Sequence, residues 1–389
     1  MSIRQWAMGF WPTARDDLDY LEMMGRLPYI RGTWYIVDPT SGSSVGGGKT
    51  MTSAVASIEQ AYDKCISGAG DGIIVISRGT GTSSQTTSYL TQELVWDKHG
   101  ITVVGISAPV KSYQRARIAN KTIVTTAALT VPTAGTTITR ASGSFITDGW
   151  VAGMKGTCAG AHTDTFVVAS VSALTLTLVG TVTASAGLVT SITSYNVNLM
   201  TVSGSNNTFY NLMFWNGGTD AKEIGGVVVS GHRNYFGNYH IVGGAGAASA
   251  ATKYSLKLDA SQENLFGPGT IGSDTFAHGD HADSEILLSG AVARNRFEGA
   301  EVLSYVTAGT AHAGVKSSAT SGGSPTVFKG CLFNSLFSVT TPASVHITSG
   351  AVDKVLFDEC RAANFTAWGG YATMPTTAAS AGGGIATTA

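Results

Sequence analysis

The sequence predicts an all-β fold: a parallel β-helix of stacked coils, covered at its start by a short capping helix and interrupted by a small antiparallel β-barrel. Three observations predict it. First, Asn-x-Phe returns at a fixed beat, as Asn207-Thr208-Phe209, Asn234-Tyr235-Phe236, Asn264-Leu265-Phe266 and Asn295-Arg296-Phe297. Phe328 and Phe357 continue the series without the Asn, so the phenylalanines lie 27, 30, 31, 31 and 29 residues apart. Self-similarity at such a period marks a stacked-repeat architecture, in which each unit buries its apolar face against its neighbours. Second, the segments between are short apolar runs split by Gly, Asn and Ser, such as Gly225-Gly226-Val227-Val228-Val229 and Glu285-Ile286-Leu287-Leu288. That is the pattern of strands with turns. Third, residues 122–195 break the beat. They are rich in Thr and Val, nearly uncharged, and alternate as in Thr137-Ile138-Thr139, Phe166-Val167-Val168 and Leu174-Thr175-Leu176-Thr177-Leu178. Gly and Ser turns between such runs predict antiparallel strands.

Composition excludes several classes. At 389 residues the chain has room for a sizeable core and two or three units. Charged residues make up 13%, about half the usual ~25%. The chain is neither charged enough for disorder nor apolar enough for a membrane protein. A net charge of −1 offers no electrostatic footprint for nucleic acid. Low charge and positive mean hydropathy imply hidden surface, including surface between subunits. Met1 to Thr13 has no long apolar run, so no signal peptide is expected and folding in a cytoplasm is.

The four cysteines, Cys65, Cys158, Cys331 and Cys360, form no C-x-x-C pair, which argues against a zinc knuckle. Cys331 and Cys360 each follow a ladder phenylalanine by three positions, so they are expected on adjacent turns. Buried thiols or a disulfide between turns both fit that spacing.

Residues 1–31 form a separate docking or capping segment. Thr13-Ala14-Arg15-Asp16 reads as a capping box with Asp in place of Glu, and Asp16 and Asp17 suit a helix start. Leu18, Leu21 and Met24 then follow at helical spacing until Gly25 and Pro28. This helix either covers the end of the rod or docks it into a larger assembly, with Trp6, Phe10 and Trp11 as anchors. Residues 32–121 begin the β-helix: a strand at 33–38, a loop at 42–50, the capping helix at 51–65, then strands at 73–77 and 101–106. Gly48-Lys49-Thr50 mimics a phosphate-binding loop, but the glycine required five positions earlier is Ser43. A plain turn is expected there.

WYIVDPTSG, SIEQAYDKC, GDGIIVISRGT and GITVVGIS, in that order, resemble the start of a pectate-lyase-like right-handed parallel β-helix, in the version found in phage structural proteins. The acidic Asn-Asp-Gly loop usual there is replaced by Ser43-Ser44-Val45-Gly46-Gly47. ITRASGSFITDGWVAGMKGT followed by TFVVASVSALTLTLVG resembles a small β-barrel insertion of phage virion proteins. The resemblance implies a rod with a knob projecting from residues 122–195.

Residues 196–365 are the repeats proper. Phe209, Phe236, Phe266, Phe297, Phe328 and Phe357 are expected to stack as a ring ladder. Asn207, Asn234, Asn264 and Asn295 are expected to sit in a tight bend and bond along it. Coils about 4.8 Å apart make six turns roughly 30 Å long. Residues 366–389 fade into Gly, Ala and Thr, with Trp368, Tyr371 and Met374 as the last candidates for packing.

Chemistry is sparse. His278-Gly279-Asp280-His281-Ala282-Asp283 is the one dense polar cluster; His278, Asp280, His281 and Asp283 suit a divalent metal. No second cluster supplies the remaining ligands, His312 being the one later candidate, so a solvated loop with no metal and no cofactor is expected. A glycoside-cleaving site needs two carboxylates about 5–9 Å apart. Asp259, Glu263, Asp274, Glu285, Glu298 and Glu301 fall at turn positions that do not coincide, and Arg294 and Arg296 suit a solvated face. The resemblance therefore implies a non-enzymatic bacteriophage virion protein. Its preferred form is a homotrimeric capsid decoration or head fibre docked on the major capsid protein or another virion protein. The alternative is a receptor-binding tailspike that cleaves or binds host-surface glycan, through residues such as Tyr235, Tyr239 and Trp215.

Overall fold

The computed structural model describes residues 30–369 apart from 78–85, 108–114, 133, 161–163, 183–186, 219–221, 245–252, 276–283, 306–311, 320–323, 337–343, 349–354 and 366. The helix expected within residues 1–31, with Trp6, Phe10, Trp11, Leu18, Leu21 and Met24, lies outside the described residues. So do His278, Asp280, His281 and Asp283, and most of the segment after 366.

The chain winds as a right-handed parallel β-helix whose coils stack into three parallel sheets of nine, eight and eight strands. One coil shows the course: Arg296–Glu298 in the first sheet, Ala300–Tyr305 in the second, Ala313–Ala319 in the third. From Thr208–Tyr210 onward the link from first to second sheet is a residue or two, and the link from second to third is longer. In the first sheet each short strand turns its middle side chain inward, so the 30-residue beat becomes a vertical column. Phe209, Phe236, Phe266, Phe297, Phe328 and Phe357 pair in register, with successive ring centroids 4.8, 4.9, 4.6, 4.4 and 5.2 Å apart. The rings are buried and nearly parallel, at offsets that aromatic pairs favour. Below Phe209 the same column continues through Val103, Ile73 and Tyr35, in smaller and less regular side chains. Trp368 closes the far end against Phe357 at 5.7 Å, and its strand Ala367–Gly369 carries the third sheet past residue 365.

The asparagines line the corner just before the column. Asn207, Asn234 and Asn264 each donate a backbone N–H to the Oδ1 of the next asparagine, at 2.9, 2.9 and 3.0 Å. Their side-chain amides donate back to carbonyls one corner below, Lys98, Gly204 and Gly231, as Asn295 does to Ser261. The sharp torsion is not theirs. Asn206, Arg233, Glu263 and Arg294, one position earlier, hold φ of 59, 56, 59 and 57°. An amide that must point into the stack leaves the left-handed turn to its outward-facing neighbour, at roughly 1–2 kcal/mol each.

The capping helix is shorter than residues 51–65. A 3-10 turn spans Met51–Ser53, Val55 bridges to Val37, and the helix α1 spans Ile58–Lys64. The reason is local. Ser57 accepts from Gln60 N while Gln60 Oε1 accepts from Ser57 N, a reciprocal cap that fixes the start, and Val55 is drawn into a sheet. Helix α1 buries Ile58, Ala61 and Tyr62, and Tyr62 meets Trp96 at 4.3 Å, which in turn meets Phe209 edge-on at 5.2 Å. The helix thus closes the bottom of the core where the third sheet has no further strand.

The barrel closes six antiparallel strands, from Val124–Val131 to Gly187–Tyr195. It has its own core, with Phe145, Trp150, Phe166, Leu176 and Ile192 at the centre. It replaces a single second-to-third-sheet link, leaving after Ala116–Asn120 and returning before Asn198–Val202. Ile123 N donates to Ser194 Oγ at 2.7 Å and ties the two legs together. Gln92 Nε2 donates to Ala152 O at 2.7 Å and ties barrel to rod.

Candidate functional site

The inner faces hold the shape, so chemistry has to be sought on the outer faces and at the corners. At Gly48-Lys49-Thr50 the loop satisfies its own backbone donors: Gly46 N and Gly48 N donate to Ser43 O and Ser53 O, and Thr50 N to Ser53 Oγ. Among the described residues no three of His, Cys, Asp and Glu gather to hold a metal. The four cysteines are buried and free. Cys331 and Cys360 stack as thiols, donating to Phe297 O and Phe328 O. The Cys360 thiol beside it, together with burial, holds the Cys331 thiol far above its ordinary range.

The acidic residues singled out in the sequence go to separate places. Glu263 is held by Arg233 at 2.6 Å and Arg294 at 2.7 Å, and the Arg233 hydrogen bond lowers its pKa. Asp259 pairs with Lys257 at 2.9 Å and Glu298 with Arg296 at 2.7 Å. Glu285 is buried, accepts from Ser255 Oγ at 2.7 Å and faces His312 at 3.6 Å. Asp274 is exposed and Glu301 half-buried. Glu263 thus forms a clamp across coils, Asp259 and Glu298 pair within their own strands, and Glu285 belongs to a buried network.

Of the aromatic candidates, Tyr239 is fully buried. It takes an inward position of the second sheet, one coil below Gly269, where an added Cβ would meet its ring. Tyr235 is half-buried on the first sheet, over Gly237 and Gly267. Trp215 is different. It lies on the outer face of the second sheet in the register column Tyr89, Ala119, Trp215. The small Ala119 between two rings leaves a recess of about 180 Å³, lined by Thr87, Tyr89, Arg117, Asn120, Trp215 and Gly217 among others. Tyr89 is 52% exposed. The Arg117 guanidinium lies 5.6 Å from the Trp215 ring centre, a cation–π contact. Arg117 Nε is shielded from solvent and has no hydrogen-bond partner. Behind the recess Asn120 Nδ2 donates to the buried Glu223 Oε1 at 2.7 Å. Gly217 and Gly218 are required, because a Cβ would strike Trp215 and the Glu223 carboxylate.

Sequence reasoning missed Tyr89 and Arg117. Tyr89 and Ala119 stand one repeat apart, but the barrel hides the next step to Trp215. A second hollow, about 330 Å³, lies where barrel meets rod, beside Gln92, Glu93, Gly153, Lys155, Asn196 and Thr201. Its Glu93 accepts from Thr201 Oγ1 at 2.6 Å and Asn198 Nδ2 at 3.2 Å, which makes it part of the joint.

No protein-family model and no curated protein matches the chain. Solved structures do. A pectin methylesterase in complex with a hexasaccharide is 12% identical, over 88% of this chain and 81% of its own, with a TM-score of 0.40. Pectate lyase Pel9A is 12% identical over 88% and 78%, with a TM-score of 0.37. The tailspike protein gp49 from Pseudomonas phage LKA1 is 10% identical over 80% and 69%, with a TM-score of 0.21. At such identities the likeness concerns the fold alone.

Proposed function

We propose that the protein is a non-enzymatic structural component of a bacteriophage virion, a homotrimeric capsid-surface decoration or head-fibre protein. It is made in the host cytoplasm, and its first 31 residues dock it on the major capsid protein or another virion protein. The observation that carries this is the unbroken column of Phe209, Phe236, Phe266, Phe297, Phe328 and Phe357, with Glu263 and Glu298 on its flank held by arginines. Such a column holds a shape. The likeness of two sequence segments to phage virion proteins supports the setting, and low surface charge supports side-by-side packing of subunits. Copy number in purified virions tests it. Hundreds of copies are expected; a few to some tens would place the chain in a tail appendage. Sedimentation of the purified protein should give a trimer.

A second reading is host attachment through a glycan, as a tailspike or an adhesive rod. The Trp215 recess favours it. Incubation with capsular polysaccharide or lipopolysaccharide separates binding from cleavage: new reducing or unsaturated ends would reveal a depolymerase.

A further inference from the structure

We infer that the recess between Tyr89 and Trp215 binds a carboxylate-bearing unit of an acidic saccharide, with Arg117 as the group that recognises the carboxylate. This rests on the glycan-attachment reading and names its ligand class. A guanidinium carries five N–H donors in a planar fork matched to a carboxylate. Arg117 Nε is out of reach of water and unpaired within the protein. A planar oxyanion meeting the terminal Nη groups of the same guanidinium would form a bidentate, charge-assisted pair. Stacking against Trp215 holds the guanidinium plane in place beforehand.

The rest of the recess suits a sugar ring. Tyr89 and Trp215 stand on strands separated by the Ala119 strand, two spacings or about 10 Å apart. Both rings line the gap, together with Thr87 and Asn120. The volume is below the ~300 Å³ of sites for whole small ligands, so it takes one unit of a longer chain whose ends run out to solvent. His240, one coil above Met213 on the same face, stays neutral near pH 7 because burial and the nearby Arg115 and Arg117 pull its pKa down to about 4. The net charge of the chain is −1, so attraction to an acidic chain has to be local.

The test is calorimetric titration of the full-length protein with a hexuronic-acid tetrasaccharide and with its carboxyl-reduced counterpart. Binding of the acidic form and at least tenfold weaker binding of the reduced form are expected. Arg117→Gln should lose at least tenfold for the acidic form and erase the difference between the two sugars. Arg296→Gln, on the first sheet, should bind as the parent does, and circular dichroism should show both variants folded. Equal affinity for the two sugars, parental affinity in Arg117→Gln, or no binding at millimolar concentration overturns the inference. None of these outcomes touches copy number or oligomeric state, so the virion reading is judged separately. Cleavage products in the same samples would sink the non-enzymatic reading alone.

Discussion

The rod and the barrel are both all-β, yet they hold together differently. In the rod every side chain meets its counterpart one coil away, so Phe lies on Phe and Asn bonds to Asn. Its stability is roughly a sum of neighbour terms, and each end needs a cover, as helix α1 and Trp368 provide. The barrel closes on itself and surrounds one compact centre built around Trp150 and Phe166, 5.8 Å apart. A linear stack spreads a defect along its axis, whereas a closed barrel confines it. The largest expected effects follow from that contrast. Phe297→Ala should cost about 3–5 kcal/mol and shift the unfolding of the rod, with the barrel still folded. Phe166→Ala should cost a similar amount and melt the barrel first, with the rod retained. Near-ultraviolet circular dichroism of Trp150, compared with total β signal during heating, separates the two. A single coincident transition in both variants would show that the units unfold as one.

Acid should distinguish the regions next. In the rod, burial above all lowers the pKa of His240 from 6.5 to about 4. The unfolded chain therefore binds a proton that the folded rod refuses. The contribution is fully present above pH 6.5 and is lost as pH falls toward 4, by at most about 3 kcal/mol. In the barrel, the Thr125 hydroxyl donates to Asp148 at 2.7 Å and Arg140 pairs with it at 2.6 Å. Thr125 foremost lowers the Asp148 pKa below 3.8, so its stabilisation is lost only as pH falls further. Melting at pH 7, 5 and 4 should weaken the rod before the barrel. His240→Gln should flatten the rod's pH dependence and leave the barrel's unchanged.

The asparagine ladder is a smaller effect peculiar to the rod. Asn264→Ala removes the Oδ1 that accepts from Asn234 N and Asn234 Nδ2, and the amide that donates to Gly231 O. A buried N–H is left without a partner, which costs about 2 kcal/mol. Hydrogen exchange should speed at Asn234 and at its neighbours in the stack, with barrel amides unaffected.

The rod was legible from sequence because its repeats put a large ring at the same depth in each coil. The lower coils were harder to read, since Val103, Ile73 and Tyr35 carry the column without a common residue type. Asparagine tolerates a left-handed torsion, so the sequence points to the asparagines for the bend, but the hydrogen-bond ladder claims their side chains and the bend falls on Arg233, Glu263 and Arg294. Tyr239 read as a surface aromatic because outward and inward positions alternate by one residue, and strands as short as Tyr239–Val242 set no phase by themselves. The recess at Arg117 depends on the pairing of Ala119 with Trp215 across the inserted barrel, which local pattern does not carry.

The least effect should come from the most visible contact. Arg233, Glu263 and Arg294 form a charged clamp across three coils, at 2.6 and 2.7 Å. Their side chains are 66, 31 and 49% exposed, and water and salt screen such pairs. All three sit at left-handed torsions, so the bend exists whether or not the charges meet. Glu263→Gln should leave the melting temperature at 150 mM salt within measurement error, while Arg233→Gln should raise the Glu263 pKa toward its ordinary value in a carboxylate NMR titration. A large loss of stability in Glu263→Gln would mean that the corner is held from outside, and the rod would then differ from the barrel in its surface as well as its core.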